Sequence, residues 1–480
     1  PTMNTFMKHL HPPFALGAFT LMTCVVGLAQ PTWPLEETVL NEYTLVSGVN
    51  IPWELTWGPD DMLWCTTREG DVLRIDPASG AYDTVLELNV NDSGTEPGLL
   101  GMALHPDWSN TPKVYLAYTA YDFQNGNHER LSVFDWDGTE LVNEEILHTV
   151  GAASIHNGSR LLVLPDNTLL MSTGDTGDGG VSSMDPNNDN GKILRFNLDG
   201  SIPTDNPSPN SHVYSIGHRN SQGMCLGPNG LVYFSEHGQY NFDEFNILEA
   251  NGNYGWPNVE GMCDGVCDWC DNWSEESYCE SNNVIEPLRT WSPCAAVNDL
   301  IYYDHPSIPE WQGSVLMAVL GGFQDPIGGR LNVMHMSEDG LTLLSDEYVF
   351  DEFNQRVRDV AINPYTGAVY LAFNGPSYGG NGPNVIKEFR PASVDGVESW
   401  QEDRGMDLFP NPATSLVTFE VSETWRNANY RIVDLAGKVM TQGALQPGTK
   451  LDVTAWSSGS YLLQATSPSG KHMSRVLVVR

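Results

Sequence analysis

The feature that most constrains the fold of this chain is a short pattern that recurs about six times along it. Each copy has an apolar strand, a turn built on Pro with Asp or Asn, and a second strand that ends in a small or hydroxyl residue. An Asp or Asn turn between two apolar runs is typical of a β-hairpin. The copies, of which the fifth is the weakest, cover residues 53–76, 101–119, 160–175 with 191–200, 223–238, 300–322 and 358–376.

This repeat predicts an all-β chain whose main domain is a six-bladed β-propeller. Units of three or four strands with no helical pattern between them are typical of propeller blades. The segment Glu37 to Gly48 precedes the first copy, and we expect it to supply the outer strand that closes the ring onto the last blade. Tandem β-sandwiches are the alternative, but they would not repeat the same hairpin in every unit.

Composition divides the rest of the chain. Lys8 and an apolar run that ends in Gly27-Leu28-Ala29 predict a cleaved secretory signal peptide over residues 1–29, with a lipoprotein signal ending at Cys24 as the alternative. Alternating strands with Gly turns near the end predict a small β-sandwich. The remaining predicted regions are a propeller domain over 30–391, a polar linker over 392–404 and the sandwich over 405–480.

The charge of the chain excludes two classes of partner. The sequence has 23 Lys and Arg against 61 Asp and Glu, which gives a net charge of −38. Such a surface repels nucleic acid and anionic lipid. Beyond the predicted signal peptide, no apolar run is long enough to cross a bilayer. We therefore expect neither a nucleic-acid partner nor an integral membrane segment in the mature chain.

An acidic, cysteine-rich insertion spans residues 260–294. The spacing of Cys267 and Cys270 would suit zinc, but a second well-spaced pair is missing, and an exported chain meets an oxidising environment. Disulfides are therefore the preferred interpretation, although the sequence does not reveal their pairing. The cysteines of the insertion are Cys263, Cys267, Cys270, Cys279 and Cys294.

Four loops that precede the first strands of predicted blades carry ionisable groups. Because such loops surround the propeller axis, we expect these groups to share one cavity. Near neutral pH His156 can take a proton from an alcohol while a carboxylate such as Glu96 orients it. The arginines suit a flat ligand with several carboxylates, since a guanidinium binds carboxylate as a fork. The loops are Thr95–Gly98, His156–Gly158, Gly217–Asn220 and Gln355–Arg358.

Several longer motifs resemble the glucose/sorbosone dehydrogenase family, the soluble sugar dehydrogenases that depend on pyrroloquinoline quinone (PQQ). The resemblance covers roughly residues 53–391, and the motifs follow the order of the family. It implies a six-bladed propeller that binds PQQ and calcium, oxidises an aldose at C1 to the lactone and passes electrons to an external acceptor. The motifs are GLLGMALHPDW, HNGSRL with MSTGD, GKILRFNLDGSIPTDNP, YSIGHRNSQGMCLGP, FSEHGQYNFDEFNIL with NYGWPNV, and RVRDV.

The resemblance implies a role for each matching residue. His156 matches the catalytic base, which takes the proton of the sugar hydroxyl while hydride passes to the quinone. Arg219 matches the arginine that stabilises negative charge on the quinone, and Asn220 is its cofactor-contacting neighbour. Arg356 and Arg358 match the arginines that bind the cofactor carboxylates.

The same resemblance implies metal sites. Gly238 and Gln239 fall where backbone carbonyls bind the calcium ion of the cofactor, and Glu244 and Tyr254 match a second calcium site. Gln239 stands where the family has Pro, a change that a backbone ligand tolerates.

Three positions depart from the members of the family that oxidise glucose. Glu96, the third candidate catalytic residue, stands where those members have Gln, and Ile155 stands where they have an acidic residue. The family has a lysine near the fifth-blade loop, where this chain reads Gly321-Gly322-Phe323.

The tail has its own resemblance. The segments LFPNPATSLVTFEV, YRIVDLAGKVM, LDVTAWSSGSYLLQAT and KHMSRVLVVR resemble the type A sorting domain of the type IX secretion system. This resemblance implies the type IX machinery as a partner and delivery to the cell surface or the medium. A carbohydrate-binding sandwich is the alternative.

These observations lead to three functional hypotheses. The first is a secreted, PQQ- and calcium-dependent dehydrogenase of an aldose or a related alcohol. The second is a non-catalytic cell-surface propeller that binds glycan or protein, which the missing lysine and Glu96 favour. The third is a calcium-dependent hydrolase such as a lactonase, which would need side-chain carboxylates that converge on a central metal.

Overall fold

The computed structural model of the chain describes most of its residues. The predicted signal peptide and nearly all of the predicted linker lie outside them, as do Cys24, Cys267 and Cys270. The described residues form two compact units, which divide between Ala392 and Ser393. The description covers residues 31–392 and 406–479, apart from 125, 267–274, 354, 377, 379–383, 410–412, 422–424, 435–437, 447 and 468–471.

The described strands of the first unit form six antiparallel sheets, and each copy of the repeat lies in a sheet of its own. Two strands precede the first sheet, β1 (Thr32–Pro34) and β2 (Val39–Ser47). Sheet 1 contains β3 (Pro52–Trp57), β4 (Leu63–Thr67), β5 (Asp71–Ile75) and β6 (Tyr82–Glu87). Sheet 2 contains β7 (Leu99–Leu104), β8 (Lys113–Asp122), β9 (Gly126–Trp136) and β10 (Leu141–Gly151). Sheet 3 contains β11 (Leu161–Val163), β12 (Thr168–Thr173), β13 (Lys192–Asn197) and β14 (Val213–Ile216).

The remaining sheets of this unit follow the same plan. Sheet 4 contains β15 (Ser221–Leu226), β16 (Val232–Glu236), β17 (Asp243–Ile247) and β18 (Arg289–Trp291). Sheet 5 contains β19 (Val297–Tyr303), β20 (Ser314–Val319), β21 (Arg330–Met336) and β22 (Leu343–Val349). Sheet 6 contains β23 (Val357–Ile362), β24 (Val369–Phe373) and β25 (Val385–Pro391), to which β2 and β1 are added. The described helical segments are α1 (Glu275–Asn282) and the 3-10 turns Pro228–Gly230, Pro309–Trp311 and Asp351–Phe353.

Sheet 6 joins the two ends of the repeat region. Strand β2 pairs with β25 in antiparallel register from Leu40 opposite Pro391 to Ser47 opposite Val385. The pairing expected for residues 37–48 is therefore confirmed, and the chain returns to its beginning to complete its last sheet.

The core of this unit is a cycle of hydrophobic clusters, each shared by two successive sheets. Trp64 of sheet 1 packs with Tyr118 of sheet 2, for example, and the pattern continues through sheet 6. The last cluster brings Tyr370 of sheet 6 against Leu55 of sheet 1. Because both faces of an inner strand are covered in this arrangement, β4 and β12 are buried along their whole length, which explains why neither alternates apolar and charged residues.

The second unit is also built from strands. One sheet has the order β26-β27-β30 and the other β29-β28-β31-β32, and one hydrophobic cluster around Trp425 includes residues from both. The strands are β26 (Met406–Phe409), β27 (Leu416–Val421), β28 (Asn429–Asp434), β29 (Val439–Ala444), β30 (Thr449–Asp452), β31 (Gly459–Thr466) and β32 (His472–Val479). The prediction of an all-β chain is thus confirmed in both units.

A buried ion cluster ties the innermost strands of the first unit together. The guanidinium of Arg160, which is 1% exposed, pairs with Glu54 of β3, Asp299 of β19 and Asp359 of β23. Its Nε donates to the carbonyl of Gln222 in β15 at 2.8 Å. One side chain therefore connects sheets 1, 4, 5 and 6, and nothing in the repeat pattern had singled it out.

We expect Arg160→Met to destabilise the chain strongly. The change leaves three carboxylates buried without their common cation, which costs about 3 kcal/mol in comparable pairs. Guanidinium-chloride denaturation followed by tryptophan fluorescence measures the loss. Lys113→Met is the control, because the pair of Lys113 with Asp135 is exposed to solvent and should contribute less than about 1 kcal/mol. Equal losses in both variants would contradict a central role for Arg160.

The same cluster predicts an unusual pH dependence. Burial raises the pKa of Glu54 from 4.5 to about 7, although Arg160 opposes the rise. The folded chain therefore retains a proton that the unfolded chain has released, so this stabilising contribution is lost as the pH rises from about 5 to 7. In Glu54→Gln that loss is absent, so between pH 5 and pH 7 the free energy of unfolding of the variant should rise relative to that of the wild type by roughly 2 kcal/mol. Denaturation midpoints at both pH values test it, with Glu145→Gln on the exposed part of β10 as control.

Candidate active site

The four loops singled out in the sequence lie around one cavity of about 210 Å³. They meet there because each precedes the innermost strand of its sheet. The predicted residues on the cavity wall are Glu96, His156, Arg219, Asn220, Gly238, Gln239, Arg356 and Arg358. Glu244 and Tyr254 lie instead on a smaller neighbouring cavity, which shares Arg219, His237 and Gly238 with the first.

The imidazole of His156 pairs with Asp175. Its Nδ1 lies 2.6 Å from Asp175 Oδ1, and both side chains are largely buried. Although burial alone would raise the pKa of Asp175, hydrogen bonds from His156, Gly177 and Trp256 lower it. An ionised Asp175 makes Nδ1 the protonated nitrogen, so Nε2 is left as the proton acceptor. This is the geometry of a general base with an orienting carboxylate.

Glu96 holds the backbone of His156 and not its ring. Glu96 Oε2 accepts a hydrogen bond from the His156 amide at 2.7 Å, and the Tyr378 hydroxyl donates to Glu96 Oε1 at 3.2 Å. The orienting contact that the sequence analysis gave to Glu96 is therefore made by Asp175. Residue 156 has φ of +56°, a strained conformation for a non-glycine residue, so its backbone needs such support. A Cβ on Gly174 would lie 2.0 Å from the His156 carbonyl oxygen, which leaves space for glycine alone.

The three predicted arginines of the cavity have neutral hydrogen-bond partners. Arg219 donates to the carbonyl of His237, Arg356 to that of Gly321, and Arg358 to the side-chain oxygen of Gln222. Burial, and next the neighbouring Arg356, lower the pKa of Arg358 to about 9, and burial also lowers the pKa of Arg356. Their positive charge is thus concentrated and poorly compensated inside an acidic chain, which favours an anionic ligand.

The cavity fits a polar, anionic group. Among the described residues, Arg219 Nε and His237 Nε2 are buried at the wall without a hydrogen-bond partner. A ligand with several carboxylate and carbonyl oxygens would supply what the arginines lack. Arg68, which also lines the cavity, is a fourth guanidinium that the sequence analysis missed.

The loop that begins at Gly238 is tightly closed. The Gly238 amide donates to Asp243 Oδ1 at 2.8 Å, and a Cβ on Gly238 would lie 2.0 Å from the Asn241 carbonyl oxygen. Within the described residues, no group of three or more His, Cys, Asp or Glu side chains has a metal-binding arrangement. A calcium ion beside Gly238 and Gln239 would therefore depend on backbone oxygens, which calcium accepts as ligands.

The second predicted metal pair is engaged within the protein. Glu244 accepts hydrogen bonds from the Gly261 amide and the Asn246 side chain, and burial together with Glu236 raises its pKa to about 8. The Tyr254 hydroxyl donates to the Ile247 carbonyl at 2.7 Å. The structure thus brings Glu244 and Tyr254 to the same small cavity but gives both side chains partners of their own.

The cysteine prediction is confirmed at one pair. Cys263 and Cys279 form a disulfide within the insertion. Cys65, Cys225 and Cys294 are free thiols in the structure, and Cys294 lines the main cavity.

Comparison with known proteins supports the prediction for the tail. Residues 407–479 match the family described as secretion system C-terminal sorting domain, so the chain carries a signal for export by type IX secretion. In the part of the chain that the structure describes, no helix is long and apolar enough to cross a membrane.

The first unit has relatives among sugar dehydrogenases. Quinoprotein glucose dehydrogenase B of Acinetobacter calcoaceticus is 36% identical over 365 residues, which are 63% of this chain and 76% of that protein. The PQQ-bound structure of an aldose sugar dehydrogenase from Streptomyces coelicolor is 30% identical with a TM-score of 0.60, over 73% of this chain and 97% of that one. The apo structure of the soluble aldose sugar dehydrogenase from Escherichia coli, 23% identical with a TM-score of 0.64, over 74% of this chain and 100% of that one, is similar in fold. Residues 49–379, more than half of the chain, match the family described as glucose/sorbosone dehydrogenase, and the chain belongs to that family.

Proposed function

We propose that this chain is a PQQ- and calcium-dependent dehydrogenase that oxidises an aldose or a related alcohol outside the cell. The observation that carries the proposal is the cavity itself, which combines an imidazole with a free acceptor nitrogen and three arginines that lack anionic partners. We interpret the six cyclically packed sheets as the blades of a six-bladed β-propeller, and the two sheets of the tail as a β-sandwich. We keep the predicted domain limits, 30–391 for the propeller and 405–480 for the sandwich.

Arg356 and Arg358 would bind the carboxylates of PQQ, and Arg219 with Asn220 would face its quinone oxygens. The carbonyls of Gly238 and Gln239 would hold the calcium ion. When bound, PQQ with its calcium ion would accept the hydride that leaves C1 and pass its two electrons to an external acceptor, chemistry that amino-acid side chains do not provide.

His156 performs the proton transfer in this mechanism. Its Nε2 takes the proton of the sugar C1 hydroxyl as the hydride leaves C1, so that the C–H bond breaks and the lactone carbonyl forms. Asp175 keeps Nδ1 protonated and stabilises the imidazolium that results. Glu96 fixes the strained backbone that aims the ring.

A second candidate function rests on the mouth of the cavity. Phe323 is 89% exposed and Tyr240 is 58% exposed, and both line the cavity. Of the two, Phe323 lies in the loop where the family has a lysine. Exposed aromatic rings of this kind bind sugar faces or partner proteins without catalysis. This function predicts ligand binding that survives loss of His156.

Our first prediction for this function concerns the cofactor. PQQ should bind the purified chain saturably and only with Ca²⁺ present, as followed by its absorption spectrum at near-stoichiometric concentration. Arg356→Met should weaken the binding about 10- to 100-fold, because it removes a charge-assisted hydrogen bond. Arg390→Met is the control, since Arg390 pairs with Glu388 on β25 away from the cavity. If the wild type shows no saturable binding of PQQ in the presence of Ca²⁺, the dehydrogenase proposal is wrong.

The second prediction concerns the base. In PQQ-loaded protein, His156→Ala and Asp175→Asn should each lower kcat by roughly two to four orders of magnitude, while PQQ affinity stays within about threefold. Reduction of an artificial acceptor across a panel of aldoses measures kcat, and His335→Ala on β21 serves as control. Wild-type turnover in His156→Ala would show that another group takes the proton.

A further inference from the structure

The acidic insertion, residues 260–294, has no role in the mechanism above. Its described part is nonetheless well anchored. The disulfide from Cys263 to Cys279 fastens the beginning of the insertion to helix α1. The carboxylate of Glu275, 1% exposed, accepts hydrogen bonds from the amides of Glu260 and Gly265, both at 3.0 Å. A carboxylate that accepts two backbone amides fixes the path of the segment it bonds.

The segment that leads into the insertion carries Trp256. This side chain is 8% exposed, and its indole Nε1 donates to Asp175 Oδ2 at 3.0 Å. The guanidinium carbon of Arg219 lies 5.4 Å from the centre of the same ring. One side chain therefore contacts both the carboxylate of the base and the arginine on the cofactor side of the cavity.

Helix α1 and the Arg219 loop hold this segment from two sides. Asn258 donates to the hydroxyl of Tyr278 on α1 at 3.1 Å. On the other side, the Trp256 amide donates to the Gly217 carbonyl at 3.1 Å. The insertion thus reaches the catalytic pair through the Tyr278–Asn258 hydrogen bond, the short backbone stretch from Asn258 to Trp256, and the bond of the indole to Asp175.

We propose that Trp256 is a positioning residue for the His156–Asp175 pair, and that the disulfide-closed insertion is the brace that holds it there. The inference deepens the proposed function and rests on it for its catalytic meaning. Asp175 has three donors, namely His156 Nδ1, the Gly177 amide and the indole. By donating to Oδ2, the indole partly neutralises the negative charge of the carboxylate and prevents the carboxylate from rotating. It therefore sets both the strength and the direction of the hydrogen bond between Asp175 and His156.

Trp256→Phe separates this role from packing. Phenylalanine keeps an aromatic ring beneath Arg219 but removes the N–H group. With one donor lost, the negative charge of Asp175 is less neutralised by hydrogen bonds and stabilises a positively charged His156 more strongly. The second proton should therefore bind to the His156 ring at a pH higher by roughly half a unit to one unit. The other groups that face the pair are Glu96 at the His156 amide and the nearby Arg219 and His237, which the substitution leaves in place.

The measurement is an NMR titration of the His156 ring in the chain without PQQ. It needs neither cofactor nor sugar, so it stays informative if the dehydrogenase proposal fails. Trp291→Phe is the matched control: Trp291 is 5% exposed and lies beneath Arg289, but its N–H has no hydrogen-bond partner among the described residues. A midpoint that rises in Trp256→Phe and not in Trp291→Phe supports the inference, and an unchanged midpoint overturns it.

The brace is tested with Cys263→Ser/Cys279→Ser. This variant changes no residue that touches the catalytic pair, so a midpoint that moves in the direction of Trp256→Phe supports the brace. If the midpoint stays at the wild-type value while Trp256→Phe shifts it, the brace is overturned. In PQQ-loaded protein, Trp256→Phe should lower kcat about tenfold with an unchanged KM and PQQ affinity. A titration shift without any wild-type turnover would reject the proposed function alone.

Discussion

The contact on which the first unit depends is the buried guanidinium of Arg160. It meets three carboxylates from sheets 1, 5 and 6 and a carbonyl from sheet 4, all on innermost strands. Hydrophobic clusters join each sheet only to its two neighbours, so they leave the distances across the centre undetermined. The ion cluster fixes those distances, because charges without water tolerate little displacement. The loops that carry the catalytic candidates begin directly above these strands.

The lining of the cavity is rich in positive charge, although the chain as a whole is strongly negative. A chain of net charge −38 places four arginines around one space, and the burial of Arg358 weakens its hold on its own proton. Desolvation makes each of these groups a stronger partner for an anion than it would be in water. The acidic exterior in turn repels anions that are not held by several arginines together, so affinity depends on the number of carboxylates a ligand presents at once.

The repeat pattern was sufficient to predict the sheets and half of the site. Loops before first strands could be found from the hairpin period, and they supplied Glu96, His156, Arg219 and Arg358. Asp175 and Arg68 escaped because they follow the second strand of a sheet. Antiparallel pairing puts the end of that strand beside the start of the first, as Thr67 opposite Pro52 shows, so both sets of loops open into one cavity. A search of the loops after second strands as well as those before first strands would have found Asp175 and Arg68.

Other features have no signature in a single sequence. Which donor a carboxylate contacts depends on distances of a few tenths of an ångström, which a sequence does not contain. For this reason Glu96 was predicted to contact the ring of His156, whereas in the structure it accepts from the His156 amide. Trp256 lies in a motif that had been noted, but its contact with Asp175 joins residues 81 positions apart. The disulfide from Cys263 to Cys279 was one pairing among many that the spacing allowed.

The closure of sheet 6 has a consequence for how the chain matures. Strand β2 finds its partner only when residues 385–391 exist, so the cycle of sheets is incomplete until about four-fifths of this sequence has been made. Contacts of such long range form slowly, and an unfinished sheet leaves a strand edge without hydrogen bonds. For this chain the consequence is that β2 keeps an edge open to pairing with another chain until residues 385–391 arrive to cover it.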